Sequence, residues 1–458
     1  MHTLFQLRSG QLQGVQRLDL SEGLTTFPRE IFDLANTLEV LNLSGNALST
    51  LPDDLPRLHR LRVIFCSGNP FTELPAVLGQ CAQLEMVGFK SCHIRTVPAA
   101  ALPHRLRWLI LTDNLVTRLP AAIGQCQQLQ KLMLAGNQLH QLPPELALCH
   151  KLELLRISAN PMADAPTLPG WLLQLPRLAW LARAGTPSLP FSTPSIRWDD
   201  LDVQHQLGEG ASGIIHQALW RGNTVAVKLF KGTVTSDGWP QSELAACLAL
   251  GVQPSHPHLI DTLGPLADHP QGTAGLVMPC IPAHFTTLAG PPSLHSCTRD
   301  VYPADTVLSA EKVLRIAQGV ASAVAHLHAN GLLHGDVYAH NLQCNAEGHC
   351  LLGDMGAASF LPTDAVQALA LQRLEVRAFG CLLEELLAHC PIRSLELAAL
   401  RNDCLQSEIA ARPLFAHILL RLLTLGMQPT LSSVPGAVLL ASLGTSAMPL
   451  PKDLANAA

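Results

Sequence analysis

The sequence predicts two joined folds of different kinds: a solenoid of stacked α/β units, then a nonrepetitive half. Three observations predict this. The pair Leu-Pro, or a close variant, recurs every 22 to 24 residues from Phe27-Pro28 to Ala165-Pro166. An Asn holds the same register at Asn46, Asn69, Asn114, Asn137 and Asn160, with Cys92 filling the internal gap. Past residue 200 the period stops, and a glycine-rich segment followed by spaced acidic residues takes over. At 458 residues the chain exceeds one ordinary core, so two or three domains are expected.

Each unit begins with an L-x-x-L-x-L stretch such as Leu129/Leu132/Leu134 or Leu152/Leu155/Ile157. A short strand buries alternate residues, and a return segment buries the rest. One unit cannot cover its own apolar face, so neighbours stack. The Asn is expected to satisfy backbone groups of adjacent units. This pattern resembles the leucine-rich repeat family in its short form with Leu-Pro on the outer side. About seven repeats plus caps are expected over residues 1–190. The last unit is read as Leu175-Leu178-Trp180, with Arg183 in the Asn position. Residues between the core leucines should face the concave side. Phe65, Met86, Trp108, Lys131 and Arg156 are therefore the candidate partner-binding residues, since aromatic and Arg side chains anchor interfaces.

Composition narrows the function. Hydrophobic residues make up 48% and charged residues 14%, which suits large cores rather than disorder. The net charge of −5 speaks against a nucleic-acid-coating protein. No apolar run approaches the ~18–20 residues of a bilayer span, and the first residues lack a signal-peptide core. A soluble, cytoplasmic protein without a membrane span is expected. The 13 cysteines are scattered without a C-x-x-C pair, so reduced thiols are expected rather than disulfides or structural zinc. A Pro- and Ser/Thr-rich stretch marks a linker, placed at 191–200.

The second half carries ordered motifs. Leu207-Gly208-Glu209-Gly210-Ala211-Ser212-Gly213 is G-x-G-x-x-G flanked by β-type residues, with Ile215 just beyond. Val225-Ala226-Val227-Lys228 follows, placing a lysine inside an apolar strand, where it needs a partner. Glu243 in a helical stretch is the candidate. His334-Gly335-Asp336 to Asn341 and Asp354-Met355-Gly356 complete the order. Together these resemble the protein kinase family over 201–425, with an α+β bilobal fold. The resemblance implies ATP and Mg²⁺ as cofactors. Lys228, held by Glu243, would grip the phosphates, and Asn341 and Asp354 would hold the metal. Asp336 would accept the substrate's hydroxyl proton, while Met278 and Cys280 would border the adenine.

The departures are equally specific. Gly335 stands where the family carries an Arg that binds an activation-loop phosphate. Tyr338 and His340 stand where Ser/Thr or tyrosine kinases place a Lys or an Arg. Only 18 residues separate Gly356 from Glu375, with no A-P-E among them, although Arg412, that Glu's usual partner, remains. Residues 283–309 form a long irregular connector, read either as a substitute substrate platform or as a passive loop. The leading expectation is a Ser/Thr-directed protein kinase whose repeats recruit a protein substrate or regulator. Alternatives are a pseudokinase scaffold that binds nucleotide and a small-molecule kinase. The tail, 426–458, matches no kinase segment.

Overall fold

The computed structural model describes residues 2–164, 167–186, 194–210, 212–251 and 255–427. Ala165-Pro166, positions 191–193 of the expected linker, Ala211 and the tail from 428 lie outside the described residues.

The repeats form one parallel sheet in chain order. Its strands are β1 (Arg17–Asp19), β2 (Val40–Asn42), β3 (Val63–Phe65), β4 (Met86–Gly88), β5 (Trp108–Ile110), β6 (Lys131–Met133), β7 (Leu154–Arg156) and β8 (Trp180–Ala182). The middle residue of each strand, such as Leu109, Leu132 or Leu155, is buried in the repeat core. Its two neighbours take the opposite, concave face because strand side chains alternate. A short helix, α1 (Leu4–Arg8), precedes β1; its N-cap Thr3 and Gln6 form a reciprocal capping box.

The Leu-Pro pair has a mechanical role. Leu74, Leu119 and Leu142 are buried, and Pro75, Pro120 and Pro143 each start a 3₁₀ turn. Proline's fixed φ and missing N–H suit that position, where a donor would be unpaired anyway. The Asn ladder behaves as its chemistry requires. Asn137 Oδ1 accepts the Val116 N–H at 3.0 Å, while Nδ2 donates to Leu111 O at 2.8 Å and Leu134 O at 2.9 Å. At Cys92 the Sγ reaches only Cys66 O at 3.5 Å and Lys90 O at 3.6 Å.

The final repeat corrects the sequence reading. β8 pairs with β7 through Leu154↔Trp180 and Leu155↔Leu181, a spacing of 26 rather than 23. The three extra residues fall in the return segment after Asn160, where no motif marks them. Leu181 thus takes the core position, and Trp180 takes a concave position instead of the core. Arg183 aligns with Ile157, not with Asn160.

The second half is two-lobed. A six-stranded sheet has the order β10-β11-β12-β14-β13-β9. Its strands are β9 (Ile196–Arg197), β10 (Leu201–Glu209), β11 (Gly213–Trp220), β12 (Asn223–Phe230), β13 (Gly264–Ala267) and β14 (Gly275–Pro279). The segment expected as linker is therefore structured at its end: Ile196-Arg197 pairs in parallel with Leu266-Ala267. Helix α2 (Pro240–Gly251) packs beside this sheet. Below it lie α3 (Ala310–Ala329), α4 (Ala365–Ala388), α5 (Leu395–Cys404) and α6 (Phe415–Met427). Among the described residues no helix is long and apolar enough to cross a membrane.

The two halves share their cores. Leu333, Leu371, Leu374 and Ile409 join the repeat core, and Leu154, Ala179 and Trp180 join that of the lower lobe. A joint of this kind buries apolar surface as a domain interior does.

Candidate active site

The glycine-rich segment joins β10 to β11 as a hairpin closed by the Gly210 N–H to Gly213 O at 2.9 Å. A Cβ at Gly208 or Gly210 would meet nothing within 4 Å, so their backbone faces open space. Gly213 differs. A Cβ there would lie 2.6 Å from Leu229 O and 3.2 Å from Lys228 Cγ. This glycine lets β11 pass close over the strand that carries Lys228.

Beneath the hairpin lies a cavity of about 640 Å³. Leu207, Gly208, Gly210, Ser212, Gly213, Ile215, Ala226, Lys228, Glu243, Met278, Cys280, Asn341 and Asp354 all line it. The volume falls in the range of small-molecule sites, roughly 300–1,000 Å³. Glu209 instead pairs with Lys231 at the rim. Two expected residues stand apart: Ala211 lies outside the described residues, and Asp336 is not part of the lining.

Lys228 Nζ lies 2.5 Å from Glu243 Oε1 and 3.8 Å from Asp354 Oδ1. Burial disfavours charge on both partners. For Lys228 the facing carboxylates outweigh burial and raise its pKa. Glu243 is pushed up to about 7 by burial, with Asp354 and Asp237 adding and Lys228 opposing. Asp237 is likewise raised, by burial and by Asp336 and Asp354. The site thus holds more carboxylate than its cations neutralise, which favours a bound cation.

Asp354 is the accessible acid, its side chain 47% exposed, and it adopts a left-handed φ of 55°. Asn341 donates through Nδ2 to Asp336 O at 2.9 Å and Asp336 Oδ2 at 3.1 Å, leaving its amide oxygen as an acceptor. Two oxygen donors on one cavity fit Mg²⁺, a hard ion that retains water and phosphate ligands. Among the described residues no three His, Cys, Asp or Glu side chains are grouped to hold a metal alone. Water and phosphate oxygens would complete the shell of an ion held there.

Residues 201–379 match the model of the protein tyrosine and serine/threonine kinase family, and residues 37–58 match the leucine rich repeat. The chain joins a leucine-rich-repeat region to a kinase domain. It is 30% identical to the serine/threonine-protein kinase mos of Xenopus laevis over 187 residues, which are 41% of this chain and 46% of that protein. It is 26% identical to the mos kinase of Gallus gallus over 203 residues, 41% of this chain and 51% of that one. It is 23% identical to the dual specificity protein kinase shkB of Dictyostelium discoideum over 176 residues, 37% and 25% of the two chains. The chain spans about half or less of the length of these curated relatives.

The surroundings of Asp336 are built differently from the cavity around Lys228. Asp336 Oδ2 is held by Asn341, and its Oδ1 accepts from the Arg156 guanidinium of β7. Arg156 also donates to Gly335 O at 3.2 Å, and its Nε lies 2.6 Å from Asp237 Oδ1. Its side chain is 3% exposed. Burial opposes its charge, but Asp336 and Asp237 outweigh this and raise its pKa. Burial would raise the Asp336 pKa, but Arg156 and His340 bring it below the ordinary carboxylate range.

The sequence departures converge here. At Gly335, φ is +77°, and a Cβ would lie 2.5 Å from Ala357 O and 2.9 Å from Leu181 O of β8. No side chain fits at this position between the Gly335 loop and the repeat. Tyr338 stacks on Trp180 with centroids 4.2 Å apart and planes 7° from parallel. Trp180 Nε1 donates to Val337 O at 3.0 Å. His340 Nδ1 lies 2.7 Å from Asp300 Oδ1. Arg412 donates to Pro176 O of the repeats at 2.8 Å, Gln406 O at 2.8 Å and Arg373 O at 3.1 Å. Within the connector at 283–309, Thr298 donates to Glu153 of the repeats, and Arg299 pairs with it at 3.0 Å.

The five concave-face residues separate accordingly. Phe65 and Trp108 are partly exposed and Met86 is buried. Lys131, buried, stacks over Trp108 at 4.4 Å, and Arg156 is sealed in the joint. Sequence reasoning missed Asp237, Glu153 and Trp180. Asp237 sits in a Ser-Asp-Gly turn with no motif, and Trp180 was hidden by the three-residue shift.

Proposed function

We propose that this chain is an ATP- and Mg²⁺-dependent protein kinase directed at Ser or Thr hydroxyls, with residues 201–425 as the catalytic unit. The carrying observation is the Lys228–Glu243 ion pair beside Asp354, on a cavity roofed by the glycine hairpin. ATP with its metal supplies a transferable phosphoryl group. The chain's own residues bind and orient. Gly208 and Gly210 bring backbone N–H groups toward phosphate oxygens. Lys228, held by Glu243, places a fixed charge against the phosphates, and Asn341 and Asp354 offer oxygen ligands to the metal. Asp336 orients the acceptor hydroxyl and takes its proton. The Ser/Thr preference rests on the mos relatives, whose names carry it.

The repeats serve as a protein-binding module. The hydrogen bonds between the halves, among the described residues, start from Arg107 or later. The concave face of β1–β4, with Phe65 partly exposed, is the surface assigned to a protein substrate or regulator.

One observation favours a second reading, a nucleotide-binding scaffold: both Asp336 oxygens are already engaged. The deciding experiment is labelled-phosphate transfer with Mg²⁺ to the protein and to a protein acceptor, comparing wild type with Asp354→Ala. Transfer at least a hundredfold above the variant, on Ser or Thr, is expected. Nucleotide binding without transfer to any acceptor, in wild type and in Arg156→Ala alike, would replace the kinase reading with the scaffold. Transfer to small molecules alone would make it a small-molecule kinase.

A further inference from the structure

We propose that the concave face of β6–β8 is a built-in cover for the acceptor side of the catalytic loop, closed in this structure, and that transfer to a protein hydroxyl requires the two halves to part there. This rests on the kinase reading above and adds a regulation to it.

The first ground is asymmetry. The 640 Å³ cavity is lined without a single residue of the repeats, so nucleotide can enter. Asp336, the residue that must meet the hydroxyl, lies off that lining with its side chain 14% exposed. One oxygen is engaged by Arg156 and the other by Asn341. While Arg156 remains, a hydroxyl must compete with its guanidinium for Asp336 Oδ1 on a side chain that is mostly covered. A carboxylate paired with a guanidinium is also a weaker base.

The second ground is fit. Gly335, Tyr338 and Arg412 depart from the family pattern or have lost a usual partner, and each now meets the repeats. Leu181 O leaves no room for a side chain at position 335, Trp180 covers the Tyr338 ring, and Pro176 O accepts from Arg412. The interface is thus matched on both sides, which a chance contact of tethered domains would not be.

The third ground separates cover from catalytic aid. Arg156 is a cation near Asp336, where the loop lacks its own Lys. A cation that serves a transferring phosphate must reach it, but Arg156 is 3% exposed and is spent on Asp336, Asp237 and Gly335 O. It occupies the acceptor's place instead of supporting it.

The test uses the full chain. Arg156→Ala removes the contact at Asp336. Glu153→Gln loosens the joint at Arg299 without touching Asp336, by leaving the Arg299 guanidinium without its carboxylate. A double variant combines them. Three quantities are read: transfer to a protein acceptor, nucleotide affinity, and hydrogen exchange across 332–342. The cover predicts faster exchange, transfer raised at least tenfold in the double variant, and nucleotide affinity unchanged within threefold. Faster exchange with unchanged transfer overturns the cover and leaves the kinase reading intact. A fall in transfer with nucleotide affinity retained overturns it too, and makes Arg156 a positioning residue. Unaltered exchange in the double variant also overturns it, because these contacts would not be what holds the halves closed. Opening without transfer in any form removes the kinase reading, and the inhibition falls with it.

Discussion

The nucleotide side and the acceptor side of one cleft follow different rules. On the nucleotide side every polar residue expected by resemblance is present within the kinase half, and Lys228, Glu243, Asn341 and Asp354 meet in one cavity. On the acceptor side the kinase half is incomplete by itself. Its loop has Gly335 and Tyr338, its activation segment is short, and Leu181, Trp180 and Arg156 of the repeats occupy the space. One side lies wholly within the kinase half, and the other is closed by a neighbouring domain's side chains and backbone.

The strongest way to break this contrast is Trp180→Ala. The indole is buried, stacks on Tyr338 and donates to Val337 O. Losing a fully packed aromatic costs about 3–5 kcal/mol, and leaves Val337 O short of a donor. Chemical denaturation should show stability reduced by that amount. If the halves unfold as one unit in wild type, the variant should divide the transition in two. Nucleotide affinity should stay within threefold. A variant that melts as one unit and loses nucleotide binding would show that the two sides are not separable.

Gly335→Ala sharpens the same contrast on the loop itself. A positive φ disfavours any Cβ, and here the Cβ would lie 2.5 Å from Ala357 O and 2.9 Å from Leu181 O. A destabilisation of about 2–3 kcal/mol is expected, since strained backbone alone costs about 1–3 kcal/mol. Gly208→Ala, with open space around it, should change denaturation by less than about 1 kcal/mol. Its effect should appear in nucleotide affinity instead. Equal stability losses at the two glycines would refute the assignment of one to packing and the other to phosphate approach.

Legibility in the sequence follows the same division. Repeats repeat, so each buried leucine and each Asn is supported by the others, and the solenoid could be read strand by strand. The cavity motifs were readable because glycines, lysine and acids stand in the order and at the spacings of the kinase family. The joint was not readable. Glu153 and Thr298 are 145 residues apart, and Arg156 and Asp336 are 180 apart. No local period links such pairs. Gly335 and Tyr338 were visible as departures, but their reason lay on the opposite domain. The 26-residue last unit, lacking any motif at its insertion, placed Trp180 in the wrong register.

The smallest expected effect concerns protons on the nucleotide side. Burial and its acidic neighbours hold the Glu243 carboxyl at about 7, against the pull of Lys228. Lys228 is anchored by Glu243 in its ionised form, so the competent arrangement is full above that value and declines below it. Each pH unit below about 7 should lower nucleotide affinity by up to about tenfold, or about 1.4 kcal/mol. The terminal phosphate of ATP titrates nearby, with a pKa of about 6 for a phosphate monoester as a guide, and would give an acid limb of its own. Glu243→Gln separates the two. It should bind more weakly at pH 8, because a neutral amide holds Lys228 less firmly. From pH 8 to pH 6 it should retain only the shallow limb of the ligand. Titration calorimetry across this range would show two curves of different slope. Parallel curves would mean that Glu243 carries its charge throughout, and that the pair with Lys228, not burial, governs this carboxylate.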